Sequence, residues 1–393
     1  MPTFYNFREN ELDYSFDDIF VPSDLFRDGN LFTWGRGDSG QLGTNAATNK
    51  STPVTTFAGG TNWKQVSSGR QTSAAIKSDG TLWIWGYGLN GQLGINQYTN
   101  ISTPVTTFAG GTNWKQVSAG AFHSAAIKTD GTLWTWGNGQ YGQLGNNDTT
   151  QRITPVTTSA GGTNWKQVSA GEFFTAAIKT DGTLWTWGRG SHGRLGNNDT
   201  TLRNTPVTTF VGGTNWKQVS SGGYFCAAIK TDGTLWTWGQ GTLGQLGDNT
   251  ATDKSTPVTT FAGGTNWKQV SAGFFHCAAI KTDGTLWTWG RGIFGQLGTN
   301  DTTDKSTPVT TFVGGTNWKQ VSCGYGHCAA IKTDGTLWTW GQGDLGQLGD
   351  NTVTNKSTPV TTFAGGTNWK QVSSSNRDCA AVTAGISPEY PLS

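Results

Sequence analysis

A 51-residue period runs through almost the whole chain and limits its fold more than any other feature. The segment Asn-Trp-Lys-Gln-Val-Ser places Trp at 63, 114, 165, 216, 267, 318 and 369, and Trp-Gly places another at 34, 85, 136, 187, 238, 289 and 340. Neither series contains an insertion, so seven units occupy residues 28–384 and leave 1–27 and 385–393 outside the array. A repeat of this length is one supersecondary unit that cannot bury its apolar face alone, so each unit must stack on its neighbours.

Each unit reads as short strands. Residues 114–118 (WKQVS), 124–128 (SAAIK) and 133–136 (LWTW) have strand character, and Asp130-Gly131 between the last two predicts a two-residue hairpin. A fourth strand, 156–158, follows Pro155, a residue tolerated at strand starts and edges. Four strands per unit predict a propeller blade. The array opens in mid-unit at residues 28–35 (DGNLFTWG), without the two strands that should precede it. It ends after 369–372 and 379–382, without the two that should follow. Joining these halves pairs strands that would otherwise be exposed edges. The expected fold is therefore all-β, a seven-bladed β-propeller of four-stranded blades closed by strands from both chain termini. Small residues at 118–120 and 125–126 suit strands crowded towards the axis, while Trp134 and Trp136 suit the wider outer strands.

Composition removes several function classes. The 27 basic and 25 acidic residues are spread along the chain and give a net charge of only +2, so no footprint for nucleic acid or an anionic membrane is expected. No apolar run approaches the roughly 18 residues that cross a bilayer, which excludes a helical membrane span. Aromatics at 12% offer too much surface for a disordered chain.

Sites for chemistry are not expected either. Gly35-x-Gly37-x-x-Gly40 matches a dinucleotide fingerprint, but it recurs in each unit and opens no helix, so these glycines are assigned to left-handed turns and no cofactor is expected. His123, His276 and His327 occupy equivalent places, and Cys226, Cys277, Cys328 and Cys379 follow that place in four units. Ser73, Ser124 and Thr175 fill the same slot elsewhere, so a small buried side chain is the simpler account and no metal is expected. Cys323 and Cys328 have no partner pair at zinc-site spacing, and five cysteines give no disulfide framework. Most Asp residues sit in turns and Glu occurs only at 9, 11, 172 and 389, so an enzyme is not expected.

The unit resembles the repeat of the regulator of chromosome condensation family. Gly120-x-x-His123-Ser124-Ala125-Ala126-Ile127, Asp130-Gly131-x-Leu133-x-x-Trp136-Gly137 and Gly142-Gln143-Leu144-Gly145 match its motif in order and spacing across residues 28–384. The resemblance implies a seven-bladed propeller closed by both termini, but fold does not fix function. The family's exchange factor works through a protruding insertion, for which the uniform spacing leaves no room. Its plant photoreceptor carries a Trp directly after the Gly of Gly-x-x-His, where this chain has Arg70, Ala121, Glu172, Gly223, Phe274, Tyr325 and Asn376.

The units are so alike that their differences carry the information. One variable patch is the triplet beginning at each of those seven positions; the other lies within Gly-x-Gly-x-x-Gly. The resemblance places both at one end of the ring. The candidate binding residues are Arg36, Arg70, Tyr87, Phe122, Asn138, Tyr141, Phe173, Arg189, Tyr224, Gln240, Phe274, Phe275, Arg291, Phe294, Tyr325 and Gln342. Aromatics and Arg are enriched in binding hot spots. The competing account is loop drift after duplication, or internal packing, although drift favours polar replacements.

Residues 1–27 break the pattern with acidic and aromatic residues such as Phe4, Tyr5, Phe16, Asp17, Asp18 and Phe20. They show no basic start with an apolar core, so a secretion signal is not expected. This segment, a candidate docking arm, resembles virion structural proteins of tailed phages that infect aquatic bacteria. The resulting expectation is a non-enzymatic recognition or assembly propeller of a phage particle, with a neighbouring virion protein or a host cell-surface protein or glycan as partner. The alternatives are a bacterial propeller that binds and inhibits another protein, and a purely structural decoration.

Overall fold

The computed structural model describes residues 28–385, so the candidate docking arm of 1–27 and the tail from 386 onwards lie outside the described residues. Six blades follow one another at 63–106, 114–157, 165–208, 216–259, 267–310 and 318–361, numbered 1 to 6 below. In blade 2 the innermost strand Trp114–Ala119 pairs antiparallel with His123–Lys128, that strand with Leu133–Gly137, and the last with the outermost Arg152–Thr157. Blade 7 is composite. Trp369–Ser374 and Asp378–Ala384 supply its inner pair, Asp28–Gly35 and Lys50–Thr55 its outer pair, and the join runs from Leu31 opposite Val382 to Gly35 opposite Asp378. The expected closure by both ends is the observed one.

Two local details differ from expectation. The Asp-Gly connection is a three-residue turn with a bulge: Gly131 N–H donates to the Lys128 carbonyl, and Gly131 alone in the loop is left-handed, at φ 81°. Asp130 has φ below zero because its carboxylate is occupied in accepting from both the N–H and the hydroxyl of Thr132. The outermost strand starts at Arg152 instead of 156, with Pro155 inside it where the register to the third strand shifts. An edge position and an irregular register together spare the ladder the N–H that Pro lacks.

The apolar core lies between blades. Ala125, Ile127 and Leu133 of blade 2 pack on Trp165, Val168, Ala177 and Trp187 of blade 3, and the other interfaces repeat this scheme. The second Trp of each third strand is fully buried and donates its indole N–H to the preceding blade, as Trp136 does to the Gln92 carbonyl at 2.8 Å. Trp34 does the same to Gln347 at 3.0 Å across the joined chain ends. The first Trp is half-buried beneath a lysine, as with Lys128 Nζ 4.6 Å from the Trp134 ring.

A ring of glutamines links the innermost strands. Gln65 donates from Nε2 to the Val117 carbonyl at 3.1 Å and accepts the Val117 N–H on Oε1 at 3.0 Å. Gln116, Gln167, Gln218, Gln269 and Gln320 each do the same to the next blade, and Gln371 completes the circle on Val66 at 3.0 and 2.9 Å. Beside it, Ser67 Oγ accepts the Ala119 N–H and Ser373 Oγ accepts the Ser68 N–H, again with one such bond at every interface.

Trp136→Ala is expected to cost about 3–5 kcal/mol in urea unfolding and Trp134→Ala clearly less, because only the first leaves a closed cavity. Gln218→Leu is expected to cost about 1–3 kcal/mol by the same measurement, since Val270 loses partners for both its N–H and its carbonyl.

Candidate functional site

Strand register decides which loops share an end of the ring. Ala119 faces Ser124 and His123 faces Gly137, so the loop after the first strand and the loop after the third strand leave blade 2 on the same side. One backbone bond ties them: the Asn138 N–H donates to the Phe122 carbonyl at 2.9 Å. Arg36 to Arg377, Tyr87 to Gln71, Arg189 to Phe173, Gln240 to Tyr224, Arg291 to Phe275 and Gln342 to Gly326 repeat it at 2.7–3.0 Å. The two variable patches therefore form one continuous end surface.

The candidate residues occupy this surface with one exception. Arg70 is exposed, and Arg36, Tyr87, Phe122, Asn138, Tyr141, Phe173, Arg189, Tyr224, Gln240, Phe274, Phe275, Arg291, Phe294 and Tyr325 are half-buried. Gln342 is buried, only 5% exposed, because Gly326 above it leaves room for the amide to fold under and donate to Asp344. The third member of each triplet also leaves the surface. Thr72, His123, Phe174, Phe225, His276, His327 and Asp378 open the second strand and lie buried between blades.

Half-burial arises because the aromatics pack on one another across blade boundaries. Phe122 stacks on Phe173 at 5.0 Å, Tyr141 meets Phe173 edge-on at 5.0 Å, and guanidinium groups cap both ends, Arg70 over Phe122 at 5.2 Å and Arg189 over Tyr141 at 5.0 Å. A second cluster joins Tyr224, Phe274, Phe275 and Tyr325 at 4.6–6.0 Å between centroids, with Arg291 over Phe275 at 5.4 Å. Both clusters fall in blades 1 to 6. Blade 7 contributes an Arg36–Asp38 ion pair at 2.6 Å and no aromatic ring among its variable positions.

Glu172 and Arg194 sit between the clusters, and neither was among the expected site residues. Burial pushes the Glu172 carboxyl above its usual range; Arg70, 3.9 Å away, and the Tyr224 hydroxyl offset this only in part. Arg194 is fully buried, 4.7 Å from the Tyr224 ring centroid, and burial together with Arg189 brings its guanidinium down to about 10. The other six repeats carry Gln here, whose Oε1 accepts the N–H two residues earlier, as Gln143 does from Tyr141. Arginine has no acceptor to offer. It donates instead to the Ser191 carbonyl and hydroxyl, and His192 moves into the left-handed region at φ 64°. The sequence signal was one departure, GRLG among GQLG repeats.

Around the axis at this end, backbone glycines and small residues from all seven blades line an open well, with Glu172, Phe274, Cys323 and Tyr325 among its walls. The cysteine slot is fully buried as expected at Cys226, Cys277, Cys328 and Cys379. His276 Nε2 lies 3.1 Å from Cys328 Sγ, and Cys323 Sγ lies 2.7 Å from the same sulfur. At the opposite end, Phe57, Phe108, Phe210, Phe261, Phe312 and Phe363 stand 64–66% exposed in the connections that leave the outermost strands.

A family model described as an RCC1-like domain matches residues 24–262. Two described as the regulator of chromosome condensation (RCC1) repeat match 283–331 and 334–382, and 267–296 and 318–347. The ultraviolet-B receptor UVR8 of Arabidopsis thaliana is 33% identical over 366 residues, spanning 91% of this chain and 83% of the receptor. The E3 ubiquitin-protein ligase HERC2 of Homo sapiens is 30% identical over 337 residues, which span 83% of this chain and only 7% of the ligase. Human WBSCR16 has the same ring, at a TM-score of 0.81 and 22% identity over 92% of this chain and 100% of that one. So does yeast RCC1 (Prp20) bound to Kap60, at 0.80 and 19% over 93% and 90%.

Because Glu172 holds its proton more tightly folded than unfolded, wild-type stability should fall relative to Glu172→Gln as pH rises from 4.5 through the folded-state value. Urea unfolding of both proteins at a series of pH values checks this; parallel curves would show that the carboxyl is not desolvated.

Proposed function

The chain belongs to the RCC1-like repeat family, and we propose that it is a non-enzymatic recognition propeller that binds a protein partner through the end surface carrying the aromatic and arginine clusters. Those clusters are the observation that carries the proposal. Two groups of rings bracketed by Arg70, Arg189 and Arg291 present flat apolar faces and fixed donors together, the combination that dominates binding energy at protein interfaces. The rings hold one another in place, so little side-chain freedom is left to lose on association.

Structures of the yeast relative show it bound to Kap60 and concern its binding to Gsp1p and histones, which agrees with protein recognition by a ring of this kind. HERC2 shares only 7% of its length with this chain and gives no ground for a ligase activity here. The finer reading concerns where the ring works. On the likeness of residues 1–27 to virion proteins of tailed phages, the partner is a neighbouring virion protein or a host cell-surface molecule. A bacterial inhibitor propeller would use the same end surface and would be absent from particles.

Mass analysis of purified phage particles decides the location, with the intact chain expected among the virion proteins. For the surface itself, Phe173→Ala and Phe274→Ala should each lower retention on host cells at least about tenfold, the equivalent of 1.4 kcal/mol. Phe57→Ala, at the opposite end, should leave retention unchanged. Equal retention of all three variants would reduce the ring to decoration.

A further inference from the structure

We propose that His276, Cys323 and Cys328 form a binding site for one thiophilic divalent cation, zinc in a cell, at the wall of the axial well. The three residues come from two blades: His276 and Cys328 fill positions that carry His or Cys in other repeats as well, and Cys323 stands where every other repeat has Ser or Ala. One donor atom from each lies within 4.8 Å of the others, and all three side chains are buried. Cys323, at 6% exposure, lines the well and gives an ion its route in. His276 Nε2 faces the sulfurs, and Nδ1, which has no hydrogen-bond partner, can carry the ring proton.

The repeats contain their own controls. A histidine reaches the next blade's slot residue three times, with Nε2 2.8 Å from Thr175 Oγ1 for His123, 3.1 Å from Cys328 Sγ for His276 and 3.1 Å from Cys379 Sγ for His327. The residue paired directly across from each slot differs: Ala170 faces Thr175, Cys323 faces Cys328 and Ser374 faces Cys379. The same backbone therefore offers an imidazole alone, an imidazole with one sulfur, and an imidazole with two. Packing explains a small residue at each of these positions, but it does not explain why two thiols and an imidazole converge at only one interface.

Charge selects the class of ion. Two thiolates and a neutral imidazole around a divalent cation make a neutral group, whereas a monovalent ion would leave a buried, uncompensated negative charge. Binding releases two thiol protons to solvent. The sulfurs, 2.7 Å apart, would open to about 3.8 Å on an ion some 2.3 Å from each, a rotation of two side chains. Three protein ligands leave the fourth tetrahedral position to water or to a donor atom entering the well.

The test uses the full chain, reduced and freed of metal, titrated with cobalt(II) and then zinc. One equivalent of cobalt should develop a thiolate charge-transfer band that zinc abolishes, and zinc should raise the melting temperature. Cys323→Ser should lose the band while keeping the fold, because Ser68, Ser221 and Ser374 occupy this position in other blades; Cys379→Ser should keep it. Absence of the band in the reduced protein, its survival in Cys323→Ser, or a Cys323–Cys328 disulfide that persists in reductant would each overturn the proposal.

Discussion

The glutamine circle is the constraint on which the rest of this molecule depends. Each Gln side chain takes both the N–H and the carbonyl of one Val in the next blade, so each blade is docked by the same two-point contact. A contact of that kind fixes the rotation between neighbours, and seven equal rotations must sum to a full turn before Gln371 can reach Val66. Closure therefore acts on all seven units together. A unit that leaned differently would displace not only its own bonds but the final one, which is why the Gln and Val of the circle are the same in all seven repeats while the loops are not.

Uniformity inside places variation at one end. The Trp indoles that bond the preceding blade, the buried Leu of each GQLG segment and the Ser bonds beside the glutamines leave few interior positions free to change. Where an interior position does change, its surroundings reorganise visibly. Arg194 removes an acceptor, reverses the direction of a hydrogen bond and turns His192 left-handed, and the buried cation that results lies against Tyr224 and near Glu172. An interior substitution thus shapes the end surface without appearing on it.

Much of the fold was legible because period and closure are one-dimensional facts. The mid-unit start at Asp28 and mid-unit end near Ala384 predicted the composite blade, and the uniform spacing of the two Trp series predicted seven units. The errors were local and chemical. Asp130-Gly131 carries the residues of a two-residue turn, but the Thr132 contacts of Asp130 favour the three-residue form. Gln342 sits at a position that is surface in the other blades and is buried here only because Gly326 lacks a side chain above it. The convergence of His276 with Cys323 and Cys328 could not be seen by counting spacing along one segment, since the histidine reaches across a blade boundary to a partner 52 residues away.

That boundary-crossing geometry also explains the asymmetry of the candidate surface. A ring of identical blades would present seven equal loops and could grip only a ligand of matching symmetry or one lying on the axis. Here the rings and guanidiniums gather in blades 1 to 6, and blade 7, assembled from both chain ends, offers the Arg36–Asp38 pair instead. Aromatic contacts pass from blade to blade, Phe122 to Phe173 and Phe274 to Tyr325, so adding a ring in one blade favours another in its neighbour and an arc grows by extension. An arc of this form has a direction, which a symmetric ring lacks, and a partner that covers it can dock in only one orientation.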